Sequence, residues 1–138
     1  MKRPALLVLT AILLAASAGA AAASDPAAHV AYAPGKASAS GDVNGDGRTD
    51  GIRFKGQQFA TGKLTVKLAK GKTLSRRTGL ITTSDAGIVK VANLDGRKGD
   101  EIVVRTQHIS TCDTYLVYAY RKGALTKVDG YCSKNPRS

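Results

Sequence analysis

Aliphatic Leu64, Val66 and Leu68 alternate with Lys63, Thr65 and Lys67. A period of two places the aliphatics on one face of a β-strand and the charged residues on the other. Lys70-Gly71-Lys72 then reads as a hairpin turn into a second strand over residues 73–78. The same logic predicts strands over 51–55, 87–92, 101–106, 114–120 and 124–128, with Arg121-Lys122-Gly123 as another turn. Along 114–120 the alternation sets Leu116, Tyr118 and Tyr120 opposite Tyr115 and Val117, one face for the core and the other either a further packing face, the favoured reading, or a binding surface. Beyond the first 23 residues no segment carries a helical period, so the predicted fold class is all-β.

The N-terminus follows different rules. Met1, Lys2 and Arg3 form a basic start, residues 5–16 an apolar stretch, and Ala18-Gly19-Ala20 or Ala21-Ala22-Ala23 a small-residue cleavage site. This reads as a secretory signal peptide over residues 1–23, too short to span a bilayer as an anchor. Residues 24–40 are Ala, Ser and Pro with isolated Val30 and Tyr32, a composition expected of a disordered linker in which His29 is solvated. The β-domain is expected over 41–138, in a protein that is secreted or held at the cell surface, with no transmembrane segment once the signal is removed.

Charge narrows the picture. The 138 residues contain 21 Lys and Arg against 10 Asp and Glu, a net charge of +11 that falls to +9 without Lys2 and Arg3. Such a surface attracts anions, whether polymer, lipid or nucleic acid, without choosing among them. Residues 63–77 contain no aromatic side chain for a base to stack on, so specific nucleic-acid binding is not expected. The partner is instead read as an extracellular ligand, an anionic polymer or a protein. The length leaves room for one domain, with little space for a large cofactor. At this size a metal or a disulfide contributes substantially to stability.

Two nine-residue segments, 42–50 and 93–101, lie 51 residues apart, and both lead into apolar strands. In the first, Asp42, Asn44, Asp46 and Asp50 occupy the first, third, fifth and ninth positions, with Gly47 at the sharp turn. That spacing directs successive oxygens inward, and hard cations such as calcium take six to eight oxygen ligands. Calcium is therefore the expected cofactor, with the backbone carbonyl of Arg48 completing the set. Arg53 stands where an EF-hand places its bidentate Glu, and a strand follows where a helix would, so the loop is not an EF-hand. The second segment keeps Asn93 and Asp95 but carries Arg97 at the fifth position. A guanidinium there is expected to pair with Asp95 or Glu101 and to replace the metal.

With these motifs the sequence resembles the FG-GAP/VCBS-type repeats, closely over residues 41–55 and as a variant over 91–106. The resemblance implies two propeller-blade-like repeats, too few for a closed propeller. It also implies calcium held by Asp42, Asn44, Asp46, Arg48 and Asp50, and recognition in place of catalysis. The expected role is thus a calcium-stabilised, non-enzymatic module for binding or adhesion, folded as a small antiparallel β-domain and monomeric. Lys63, Lys67, Lys70, Arg76 and Arg77 are expected to protect its edge strands.

Two alternatives remain open. One is a subunit that completes a larger propeller with other chains. The other is a small cationic, ribonuclease-like hydrolase using Glu101, Arg105 and His108, with His108 in a loop just past its strand. Cys112 and Cys132 are the only cysteines, and in an oxidising compartment they are expected to pair. Closing that segment stabilises by roughly 3 kcal/mol on the chain-entropy view.

Overall fold

The structure is a computed structural model that describes residues 34–109 and 111–134. The signal peptide and most of the expected linker lie outside the described residues. Eight strands follow one another: β1 (Ser38–Gly41), β2 (Asp50–Lys55), β3 (Thr61–Lys67), β4 (Thr73–Leu80), β5 (Gly87–Ala92), β6 (Glu101–Ile109), β7 (Cys112–Arg121) and β8 (Ala124–Lys134). They form two four-stranded antiparallel sheets, β1-β2-β3-β4 and β5-β6-β7-β8, with no closed barrel or propeller. Among the described residues no helix could cross a membrane.

Alternation decides which side of each strand is dry. Ile52 and Phe54 on β2, Leu64 and Val66 on β3 and Leu74 on β4 join Ile88, Ile102, Val104, Tyr118 and Leu125 of the other sheet in one buried cluster. The sheets therefore meet face to face, with Val43 and Ile81 added from connecting segments. Burying each such side chain stabilises by about 1.5–3 kcal/mol. The opposite face of the second sheet holds a smaller cluster of Val103, Tyr115 and Val117, against which Tyr131 packs. The rings of Tyr115 and Tyr131 stack at 5.2 Å. Tyr115 is as buried as Tyr118, so the two rings pack on opposite faces of β7, as the favoured reading expects.

Tight turns are built as their glycines require. Gly71 has φ +89°, and Lys122 and Gly123 take φ +49° and +86°, the paired left-handed geometry that closes a two-residue hairpin. Several strands run further than the apolar pattern shows, notably β6 to Ile109 and β8 to Lys134. The first strand begins at Ser38, inside the stretch expected as linker. Of the cations expected to guard edges, only Arg76 and Arg77 sit on an edge strand, because β3, which carries Lys63 and Lys67, is interior to its sheet.

Cys112 and Cys132 stand at disulfide distance across β7 and β8, with Cα atoms 5.7 Å apart. Both lie within strands, so the link staples a paired ladder. Replacing both by Ala is expected to lower the urea-unfolding free energy by up to about 3 kcal/mol, less any residual structure in the reduced denatured state. Equal stability of the variant and the oxidised protein would show that the ladder alone holds these ends.

Candidate functional site

Each sheet carries one polar loop at the same place, between its first and second strands: residues 42–49 and 93–100. In the first, Asp42 accepts the N–H groups of Asp46 at 3.0 Å and Gly47 at 2.8 Å. Asn44 Oδ1 accepts the same Asp46 N–H at 3.1 Å, and Asp46 Oδ1 accepts that of Arg48 at 3.0 Å. These bonds wrap the chain around its own side chains, and Gly45 (φ +72°) and Gly47 (φ +80°) supply the left-handed residues that the winding needs. Asp46 Oδ2 is buried with no hydrogen-bond partner among the described residues, and its nearest cation is Lys70 Nζ at 3.7 Å.

Asp50 is placed differently from its loop companions. It is fully buried at the start of β2. One oxygen accepts the N–H of Val43 at 3.0 Å and of Asn44 at 3.4 Å, and the other that of Ala69 at 2.9 Å. Asp42, Asn44 and Asp46 thus gather around one turn of backbone, while Asp50 binds that turn to the hairpin after β3. Among the described residues no three His, Cys, Asp or Glu side chains gather closely enough to hold a metal. A cation in this loop would draw Asp42 and Asn44 oxygens from the amides they now accept.

The second loop shows the counterpart arrangement with a different cation. Glu101, buried at the start of β6, accepts the N–H of Leu94 at 2.8 Å, as Asp50 accepts that of Val43. Asp95 Oδ1 accepts the N–H of Arg97 at 2.8 Å. The guanidinium that unites the acids belongs to Arg121, at the end of β7: it reaches Asp95 at 2.6 Å and Glu101 at 3.2 Å. Arg97 pairs with Asp95 as expected, but at 3.8 Å and with most of its side chain in solvent. Sequence reasoning found the Arg97–Asp95 pair but missed the closer cation Arg121, which it read only as the opening of a turn.

The two loops touch. Asp42 N–H donates to Asp100 Oδ2 at 2.9 Å, and Asp100 N–H donates to the Asp42 carbonyl at 2.8 Å. At Gly99 (φ +99°) a Cβ would meet the Val43 carbonyl oxygen at 2.5 Å, so the approach requires glycine. Between them lies an open cleft of about 570 Å³, lined by the carboxylates of Asp42, Asp46 and Asp100 and by the cations Arg97 and Lys98.

Of the residues of the hydrolase alternative, Arg105 and His108 both reach Asp113, while Glu101 is set apart from them. His108 lies within β6, not in a loop beyond it, and Glu101 is at that strand's opposite end. Their seven-residue separation along a strand is about 23 Å at some 3.3 Å per residue. Arg105 is fully buried, ion-paired to Asp85 and 3.9 Å from Asp113. His108 Nδ1 contacts Asp113 Oδ1 at 2.7 Å. No family model, curated protein or solved structure matches this chain.

Proposed function

We propose that this protein is a secreted, non-enzymatic β-module of the FG-GAP/VCBS type, stabilised by one calcium ion and used for binding or adhesion at the cell surface or outside the cell. The observation that carries the reading is the 42–50 loop, whose buried Asp46 Oδ2 lacks a hydrogen-bond donor while Asp42 and Asn44 oxygens sit on the same turn. A buried carboxylate oxygen without a partner is costly, and a hard cation satisfies it. Asp42, Asn44, Asp46, the Arg48 carbonyl and Asp50 would hold the ion, which would order the turn and fix the neighbouring strands. The second loop needs no ion, since Arg121 already supplies its positive charge.

Thermal and urea unfolding in calcium and in chelator test this reading. At free calcium 100 times the dissociation constant, linkage gives about 2.7 kcal/mol of added stability. Asp46→Ala is expected to remove that increment, and titration calorimetry to count one ion per chain. Identical unfolding with calcium and with chelator would reduce the loop to an ordinary turn.

A further inference from the structure

A second recess opens where the edge strand β4 meets the inner face of the second sheet. About 360 Å³ in volume, it is lined by ten residues, three of them cations and none a carboxylate. Arg76 is the unexpected one. Its neighbours two residues away, Leu74 and Thr78, are buried, and it pairs across the ladder with fully buried Leu64. Period-two alternation therefore places Arg76 on the core-facing side of β4, where the pattern calls for an apolar residue.

From the other sheet, Lys127 on β8 stands opposite Tyr118 on β7, a core-facing tyrosine. Two strands of different sheets thus bring positive charge to one groove. Arg76, Arg77 and Lys127 have no ion pair with any described residue. Burial raises the Tyr118 phenol above its ordinary value even though the nearby Arg76 charge opposes the shift, so the phenol keeps its proton for donation. Thr114 and Gln107, which bond to each other at 3.3 Å, add further polar groups to the wall.

Arg76, Arg77 and Lys127 are exposed to solvent along this recess; like charges lining one groove repel, and an oxyanion between them reverses the sign of the interaction. The volume exceeds ten water volumes of about 30 Å³ each, room for an acid group and the sugar or ester that bears it. We propose that the groove between β4 and the second sheet binds the oxyanion group of an extracellular anionic polymer, with Arg76 and Lys127 clamping the charge and Tyr118 donating to it. This deepens the binding-module reading and rests on it, while using residues remote from the 42–50 loop.

The test is a nuclear magnetic resonance titration of the protein in calcium-free buffer at fixed ionic strength, with inorganic sulfate and with a sulfated hexasaccharide as probes. Sulfate is expected to move the amides of Arg76, Tyr118 and Lys127 saturably in the millimolar range, and the hexasaccharide to bind at least tenfold tighter. Arg76→Gln is expected to weaken both tenfold or more, Arg76→Lys to retain most of the binding, and Lys55→Gln, on an exposed face, to change neither. Shifts that never saturate and spread over all basic residues, or an Arg76→Gln protein that is folded and binds as before, would overturn the groove. Equal affinity for the two probes would overturn the polymer assignment. Calcium-dependent melting of Arg76→Gln separates the two readings, because it persists if only the groove is wrong.

Discussion

In chelator, Asp50→Ala is expected to lower the unfolding free energy by about 4 kcal/mol, against about 1 kcal/mol or less for Asp46→Ala. Both are carboxylates of one loop, and the difference lies in what they touch. Asp50 is fully buried and accepts three backbone N–H groups from two separate segments. Truncation leaves the Val43 donor in the interior and those of Asn44 and Ala69 nearer the surface, each at a cost of about 1–3 kcal/mol less whatever water recovers. Asp46 accepts one exposed N–H, that of Arg48, and meets the largely exposed Lys70 ammonium. An ion pair of that exposure contributes about 1 kcal/mol at most. Under the proposed calcium reading both variants would also lose the increment from the ion in calcium, so the order of the two stays fixed while the gap to the wild type widens. Urea unfolding checks this, provided the slope with denaturant stays constant. For a domain of this size 4 kcal/mol is about 16 °C or more in Tm. Equal costs in chelator would show that the Asp50 contacts are replaceable by water.

The residues that were legible in the sequence share one property: their partners are near or their pattern is regular. Ile52, Phe54, Leu64 and Val66 declare a buried face by alternation, and Gly71 and Gly123 mark their turns. What the pattern missed depends on long-range pairing. β1 reads Ser38-Ala39-Ser40-Gly41, with no apolar period, and exists because it pairs with β2 in register from Ser38↔Arg53 to Gly41↔Asp50. β6 continues past Thr106 through a register shift between Arg105 and Gln107, which interrupts any simple period. The end of β8 is polar and mostly exposed, held by its ladder to β7.

The same division runs through the candidate site. Spacing located the 42–50 loop, because its oxygen-bearing side chains lie within nine residues of chain. Spacing could not show that Asp50 reaches Ala69, nor that Glu101 meets a guanidinium 20 residues further on. Arg76 was read as an edge-strand charge, which it is by topology, but cross-strand pairing with Leu64 turns it toward the other sheet.

Arg121→Ala is expected to cost about 3–4 kcal/mol with or without calcium, and Arg97→Ala within about 0.5 kcal/mol of nothing. Glu101 is 2% exposed, and Arg121, three-quarters buried, is the cation that reaches it. Removing one member of such a pair leaves a carboxylate in the interior uncompensated, which costs more than the pair's own net contribution. The double variant Arg121→Ala with Glu101→Gln should therefore be more stable than Arg121→Ala alone. The neutral amide can still accept the Leu94 N–H that Glu101 now holds at 2.8 Å. A double-mutant cycle reads this as a coupling energy of at least about 1 kcal/mol between two side chains in contact. Arg97, exposed and 3.8 Å from Asp95, has no comparable burden. If Arg97→Ala proved the costlier change, the internal cation would belong to the loop itself, as spacing suggested. If Arg121→Ala is costlier by the expected margin, one loop is neutralised permanently by its own sheet, and under the proposed reading only the 42–50 loop would be left to respond to calcium.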